Sequence, residues 1–172
     1  KNRAKFSQSC LTTVERPDIG KRIHILSLVD EAQLRRVLSY VWNPGEFRSG
    51  NGKARFVDFR MSALKARGGR LMLELDVIFL HTVSRPLYSL FIRTADGVTL
   101  SSTNSDDKAA QTQPALPQEA GTRATVCFDL QPNLCAGDYF FSIAVSETRY
   151  GDKEVLDRRH DAIHLEIGRA HV

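Results

Sequence analysis

From Ala54 to Gly168, apolar and polar residues alternate with a period of two in one segment after another. Successive side chains of a strand point to opposite faces, so this is the pattern of strands half-buried on a core. Ala54 to Met61 puts Val57, Phe59 and Met61 on one side. Leu71, Leu73, Leu75, Val77 and Phe79 alternate with Met72, Glu74, Asp76, Ile78 and Leu80, a long strand with one mixed face. Leu87 to Thr94 follows Arg85-Pro86, and Ala95-Asp96-Gly97 is a hairpin turn into a short strand over Val98 to Ser101. Ala124, Val126, Phe128 and Leu130 point inward from Thr122 to Leu130. Cys135 to Val145 reads as a turn feeding a strand. A charged loop from Tyr150 to Arg159 then leads to a last strand, Asp161 to Ile167. Ser49 to Gly52 and Gly68-Gly69 are turns, and Ser102 to Gly121, with Pro114 and Pro117, is a long loop. Strands at this spacing with no helix between them predict an all-β, antiparallel sandwich.

Upstream the pattern changes. Lys1 to Ser27 has no sustained period and reads as a linker or extended arm. Asp30 can cap a helix over Glu31 to Trp42, with Leu34, Val37, Leu38 and Val41 on one face and Asn43-Pro44-Gly45 ending it. The expected organisation is a linker and short amphipathic helix over 1–47, a sandwich over 48–168 and a tail over 169–172.

Composition narrows the function. The formal net charge of +4, from 24 Lys and Arg against 20 Asp and Glu, suits an acidic ligand. It is too small, and its basic residues too scattered, for a nucleic acid partner. Apolar runs fall far short of a membrane span. Cys10, Cys127 and Cys135 lack metal-ligand spacing, and an odd count with no signal peptide favours a reducing compartment. No cofactor, metal or disulfide is expected to be needed. A chain beginning at Lys1 is expected to be a segment of a longer protein.

No G-x-S-x-G, phosphate-binding loop or H-E-x-x-H occurs. His160 and His164 share a face, but only His171 follows them as a third ligand, in the terminal tail, and they read as solvent-facing. Glu74 and Asp76 share a face as a glycosidase pair could, but a polar outer face accounts for them. The chain is expected to bind rather than catalyse. Sugar binding needs bidentate polar groups and an aromatic plate, and an acidic sugar adds a need for Arg. Arg93, Ser102, Thr103, Asn104, Arg149, Tyr150, Asp157, Arg158, Arg159 and His160 supply these types at strand ends and in loops. They are the candidate carbohydrate-binding residues.

Four segments in this order carry a family resemblance: Arg48-x-Gly50-x-Gly52-x-Ala54; Phe91 to Gly97 with Thr103-Asn104 after it; Leu134 to Tyr139; and Arg159 to Leu165. Together they resemble the C-terminal carbohydrate-binding domain of Wzt-type proteins, the ATPase subunits of bacterial ABC transporters that export O-antigen polysaccharide. The resemblance spans roughly Arg48 to Gly168. It implies an immunoglobulin-like β-sandwich that forms a homodimer, in which a C-terminal strand can be exchanged between protomers. It implies non-catalytic recognition of the non-reducing terminal cap of the finished polysaccharide, which licenses export. The implied partners are an ATPase domain and a transmembrane permease, and the implied location is the cytoplasm, against the inner membrane. The Arg-rich stretch Arg149 to Arg159 adds the expectation of an acidic cap. The alternatives are a protein-interaction or oligomerisation sandwich with no sugar site, and an accessory module of a glycan-active enzyme. A glycan array separates the first of these from the sugar reading.

Overall fold

The structure is a computed structural model that describes residues 4–7, 24–29, 35–64, 70–106, 116–130 and 134–169. Its elements in chain order are all strands: β1 (Ala4–Ser7), β2 (His24–Val29), β3 (Arg35–Trp42), β4 (Phe47–Ser49), β5 (Ala54–Leu64), β6 (Arg70–Phe79), β7 (Pro86–Thr94), β8 (Thr99–Asn104), β9 (Arg123–Leu130), β10 (Gly137–Arg149) and β11 (Asp152–Arg169). They form two antiparallel sheets. A four-stranded sheet runs β1-β9-β6-β5, and a seven-stranded sheet runs β2-β3-β11-β10-β7-β8 with β4 paired to β11. The fold is therefore the antiparallel β-sandwich that the alternation predicts.

The core lies between the two inner faces. Leu71, Leu73, Leu75, Val77 and Phe79 of β6 and Ala124, Val126, Phe128 and Leu130 of β9 are all buried, as expected. They meet Tyr88, Leu90 and Ile92 of β7, Phe141, Ile143 and Val145 of β10, and Ile163, Leu165 and Ile167 of β11. The Ala95-Asp96-Gly97 turn closes with the Gly97 N–H on the Thr94 carbonyl and the Thr94 N–H on the Val98 carbonyl, each at 3.0 Å.

Three expectations are corrected. The helix over Glu31 to Trp42 is not formed: residues 35–42 are β3, paired to β11 on one side and β2 on the other. Val37, Tyr40, Val41 and Trp42 are β-branched or aromatic and suit a pleated sheet. Tyr40 is buried and donates its hydroxyl to the Met61 carbonyl of the opposite sheet at 2.8 Å. Residues 4–7 and 24–27 belong to β1 and β2 of the two sheets, where a linker or extended arm was expected. The charged stretch after Tyr150 is strand, not loop. Tyr150 and Gly151, both at positive φ, turn β10 directly into β11, the geometry of a tight two-residue hairpin. The Asp30 cap, the Gly68-Gly69 turn, residues 107–115 of the long loop, Cys10 and His171 lie outside the described residues.

Val57 also departs from its expected face. A register shift between Phe56 and Asp58 inserts it as an extra residue in β5. Ala54 and Phe56 point inward before this bulge and Phe59 and Met61 after it, leaving Val57 40% exposed.

The sheets are tied at one edge by Asp157 of β11, which is 2% exposed. Its carboxylate accepts Arg48 Nε at 2.8 Å, Arg48 NH2 at 2.7 Å and the Phe56 backbone N–H at 2.8 Å. The chain between Arg48 and Phe56 also hangs on β11, with the N–H groups of Asn51 and Gly52 on the carbonyls of Val155 and Leu156. Asp157→Ala should leave a guanidinium and a buried N–H unpaired. We expect a loss of about 3 kcal/mol, the low end for a broken buried pair because Arg48 keeps some contact with water. Urea unfolding followed by far-UV circular dichroism measures it, and a loss within experimental error would exclude the tie.

On the outer face of the four-stranded sheet, buried Asp76 accepts from the two terminal guanidinium nitrogens of Arg60 at 3.0 and 3.2 Å, the Thr125 hydroxyl at 2.7 Å and Arg123 NH2 at 3.3 Å. Burial alone would raise its pKa, but these donors and charges outweigh it and hold the carboxyl below its ordinary value. A depressed folded pKa gives stability that is present above the unfolded pKa of about 4 and is lost as pH falls through the folded value. Arg60→Ala should therefore weaken the pH dependence of unfolding below about pH 4. Urea midpoints at pH 6 and pH 3 for both proteins test this; an unchanged difference between them would count against it.

Candidate functional site

Inner and outer positions of the seven-stranded sheet have separate jobs around β10 and β11. Ile143, Val145 and Ile163 point into the core, while Ser142 and Ala144 of β10 face outward between two taller rows. Ser142 lies opposite Phe91 of β7, and Ala144 lies between Ser89 of β7 and Arg158 of β11. Small side chains flanked by large ones leave a depression. It is a groove of about 240 Å³ lined by Phe91, Arg93, Thr99, Ser142, Ile143, Ala144, Arg158 and His160.

The groove owes its outline to an irregularity in β11. Phe141 pairs with Ile163, but Ile143 pairs with Arg159, so β11 spends four steps where β10 spends two. Asp161 sits in this bulge at φ +53°. Its N–H donates to Ser142 Oγ at 2.9 Å, and its carboxylate takes the Arg93 guanidinium, through Nε at 2.6 Å and through NH2. The hydrogen bond to Asp161 raises the Arg93 pKa further above its ordinary value. Arg93 is thus charge-compensated where it stands.

Arg158 differs. It lines the same groove, and its guanidinium makes no hydrogen bond or ion pair with any described residue. His160 stands beside it, its ring 5.6 Å from that of Phe47 on β4. Further along the outer face, Phe140 opposes Arg93 and stacks on His164 at 4.9 Å, while His164 Nε2 lies 2.7 Å from Asp138 Oδ1. Among the described residues no group of three or more His, Cys, Asp or Glu is placed to hold a metal ion.

Of the ten candidate residues, the structure brings Arg93, Arg158 and His160 together in the groove. Asp157 and Arg159 alternate with them and face the other way. Asp157 is held by Arg48, and Arg159 pairs with Glu46 and lies 3.7 Å over the ring of Trp42. Ser102 is exposed on β8 opposite Phe91, Thr103 is buried beside Leu90, and Asn104 accepts the Asp106 N–H at 2.9 Å. Arg149 and Tyr150 lie at the far hairpin end, where Arg149 binds Glu147 at 2.8 Å and Tyr150 is fully exposed. Sequence reasoning missed Phe91, Thr99, Ser142 and Ala144. The signal for the last two was a pair of small residues at outward positions in an otherwise bulky strand.

Among the described residues no helix is long and apolar enough to cross a membrane. No curated protein matches the chain. Among solved structures, it is similar to one described as the crystal structure of the C-terminal domain of Wzt. That match has 26% sequence identity and a TM-score of 0.65, and covers 73% of this chain and 79% of that one. The model of the family described as the Wzt C-terminal domain matches residues 46–171, most of the sandwich and its groove included, so the chain belongs to the Wzt C-terminal domain family.

Proposed function

We propose that this chain recognises, without catalysis, the non-reducing terminal cap of a bacterial O-antigen polysaccharide and so licenses its export by an ABC transporter. Family membership supports a carbohydrate-binding role in O-antigen export in general terms. The observation that carries the finer reading is Arg158. It presents a guanidinium with no partner among the described residues to a groove of about 240 Å³. Sites for drug-sized ligands run from about 300 to 1,000 Å³, so this groove suits an end group better than a running chain. A guanidinium left unpaired binds a carboxylate or phosphate through two parallel hydrogen bonds, which favours an acidic cap. In the parent protein the partners are an ATPase domain and a permease, and the chain works in the cytoplasm against the inner membrane.

Arg158→Ala should weaken binding of delipidated, capped O-polysaccharide from the source strain by about 1–3 kcal/mol. The fold should be unaffected, because Arg158 ties no element to another. Arg159→Ala should do the reverse, lowering stability through the loss of Glu46 and Trp42 contacts. Calorimetry with capped and uncapped polysaccharide, beside thermal unfolding, reads both effects. Equal binding of the two forms would reject cap recognition and favour an interaction module. Tight binding of a neutral cap would reject only the acidic refinement.

The same proposal includes a homodimer, with exchange of the C-terminal strand as one way to build it. The support is the position of β11 beyond the Asp161 bulge: residues 163–167 run between β10 and β3 and form a segment another copy could donate. Light scattering at high micromolar concentration should give twice the chain mass, and a monomer there would refute the dimer.

A further inference from the structure

Phe91 points outward with serines on three sides. It pairs with Ser142 of β10 on one side and Ser102 of β8 on the other, and Ser89 precedes it on the same face of β7. Its ring is half-buried and lines the groove. Among the described residues no other ring packs on it. Phe140 is the contrast. It is half-buried on the same face, one outward position from Ser142, but it stacks on His164 at 4.9 Å and lies outside the groove. The Arg93–Asp161 ion pair separates the two phenylalanines. Arg93 stands on β7 opposite Phe140, yet its guanidinium reaches Asp161 on β11, so the pair crosses β10 from one wall to the other. It closes the groove at that end and leaves Phe91 as the aromatic ring of the enclosed space, with the unpaired Arg158 on the opposite wall.

We infer that Phe91 is the stacking plate for the terminal sugar ring, which lies over Ser142 and directs its anionic substituent to Arg158. This rests on the reading of the groove as the cap site. A pyranose has a face of C–H bonds that is apolar and weakly positive, and an aromatic ring has a negative face. Stacking the two shields both from water and leaves the sugar's edge hydroxyls for Ser142 and Thr99, which also line the groove. The mixture of groups selects this class of ligand. A small inorganic anion would use Arg158 and leave the ring of Phe91 idle. A wholly apolar ligand would desolvate the serine and the guanidinium without giving them partners. The spacing agrees: β7 and β11 flank β10, so the two walls stand about 10 Å apart, two inter-strand distances. That width holds one sugar ring and its substituent between Phe91 and Arg158.

The test is calorimetric titration of the intact chain with delipidated, capped O-polysaccharide from the source strain. It compares the wild type with Phe91→Leu, Phe91→Tyr and Phe140→Leu. Phe91→Leu keeps apolar bulk but loses the ring face, and should weaken binding at least about fivefold. Phe91→Tyr keeps the ring and should bind within about twofold of wild type, as should Phe140→Leu, the same exchange on the same face outside the groove. All three should melt within about 4 °C of wild type, because each exchange nearly conserves volume at a half-buried position. Titration well below every melting transition keeps a loss of binding separate from a loss of fold. Undiminished binding by Phe91→Leu, or an equal loss in Phe91→Tyr or in Phe140→Leu, would overturn the stacking role and leave cap recognition standing. No binding by the wild type would overturn both.

Discussion

A single buried carboxylate sets the phase of the C-terminal strand. Asp157 cannot be left bare in a protein interior, where an unpaired charge costs several kcal/mol. It therefore has to meet Arg48 and the Phe56 N–H. Once it does, the strand's alternation is fixed. Arg159 must lie on the same side, where Glu46 and the face of Trp42 receive it, and Arg158 and His160 must lie on the other. The segment carrying Arg48 can reach Asp157 only if it crosses close to β11. Gly50 permits that crossing: it has φ +120°, and a Cβ there would come within 2.6 Å of the Leu156 carbonyl oxygen. The Arg48-x-Gly50-x-Gly52 motif is thus a docking device for β11.

Much of the sandwich was legible because its strands alternate without interruption. In β6 and β9 every second residue is apolar, and each of those residues is buried. Legibility failed where tertiary pairing or a bulge intervened. Leu34, Val37, Leu38 and Val41 are spaced for a helix, but β11 offers an open edge that β3 fills, and its β-branched and aromatic residues accept the pairing. Val57 was misplaced because a register shift is invisible to a rule of strict alternation. The stretch from Tyr150 to Arg159 looked like a loop because it is charged. Its charges are those of a strand whose two faces both have polar work.

The candidate site was legible in chemistry and not in geometry. Arg93, Arg158 and His160 were found because guanidinium and imidazole are the groups such a site needs. Their neighbours Asp157 and Arg159 have the same chemistry, and only the phase of β11 separates scaffold from surface. Phe91, Thr99, Ser142 and Ala144 come from two other regions of the chain, and no local pattern links them. Two arginines in one groove also differ in readiness. Arg93 has its hydrogen bonds satisfied by Asp161, so engaging another anion would first cost that pair. Arg158 has no such pair to give up.

The division of labour along residues 157–160 bears on how one scaffold could serve many ligands. Odd positions of this stretch hold the sheets together, and even positions face outward. A substitution at Arg158 or His160 alters what the surface offers while leaving the interior untouched, so the two sets of positions are free to vary almost independently. A lineage that needs a different surface chemistry can explore it through every second codon of one strand, at little cost to folding. The constraint that makes Asp157 and Arg159 immovable is the same one that makes their neighbours expendable.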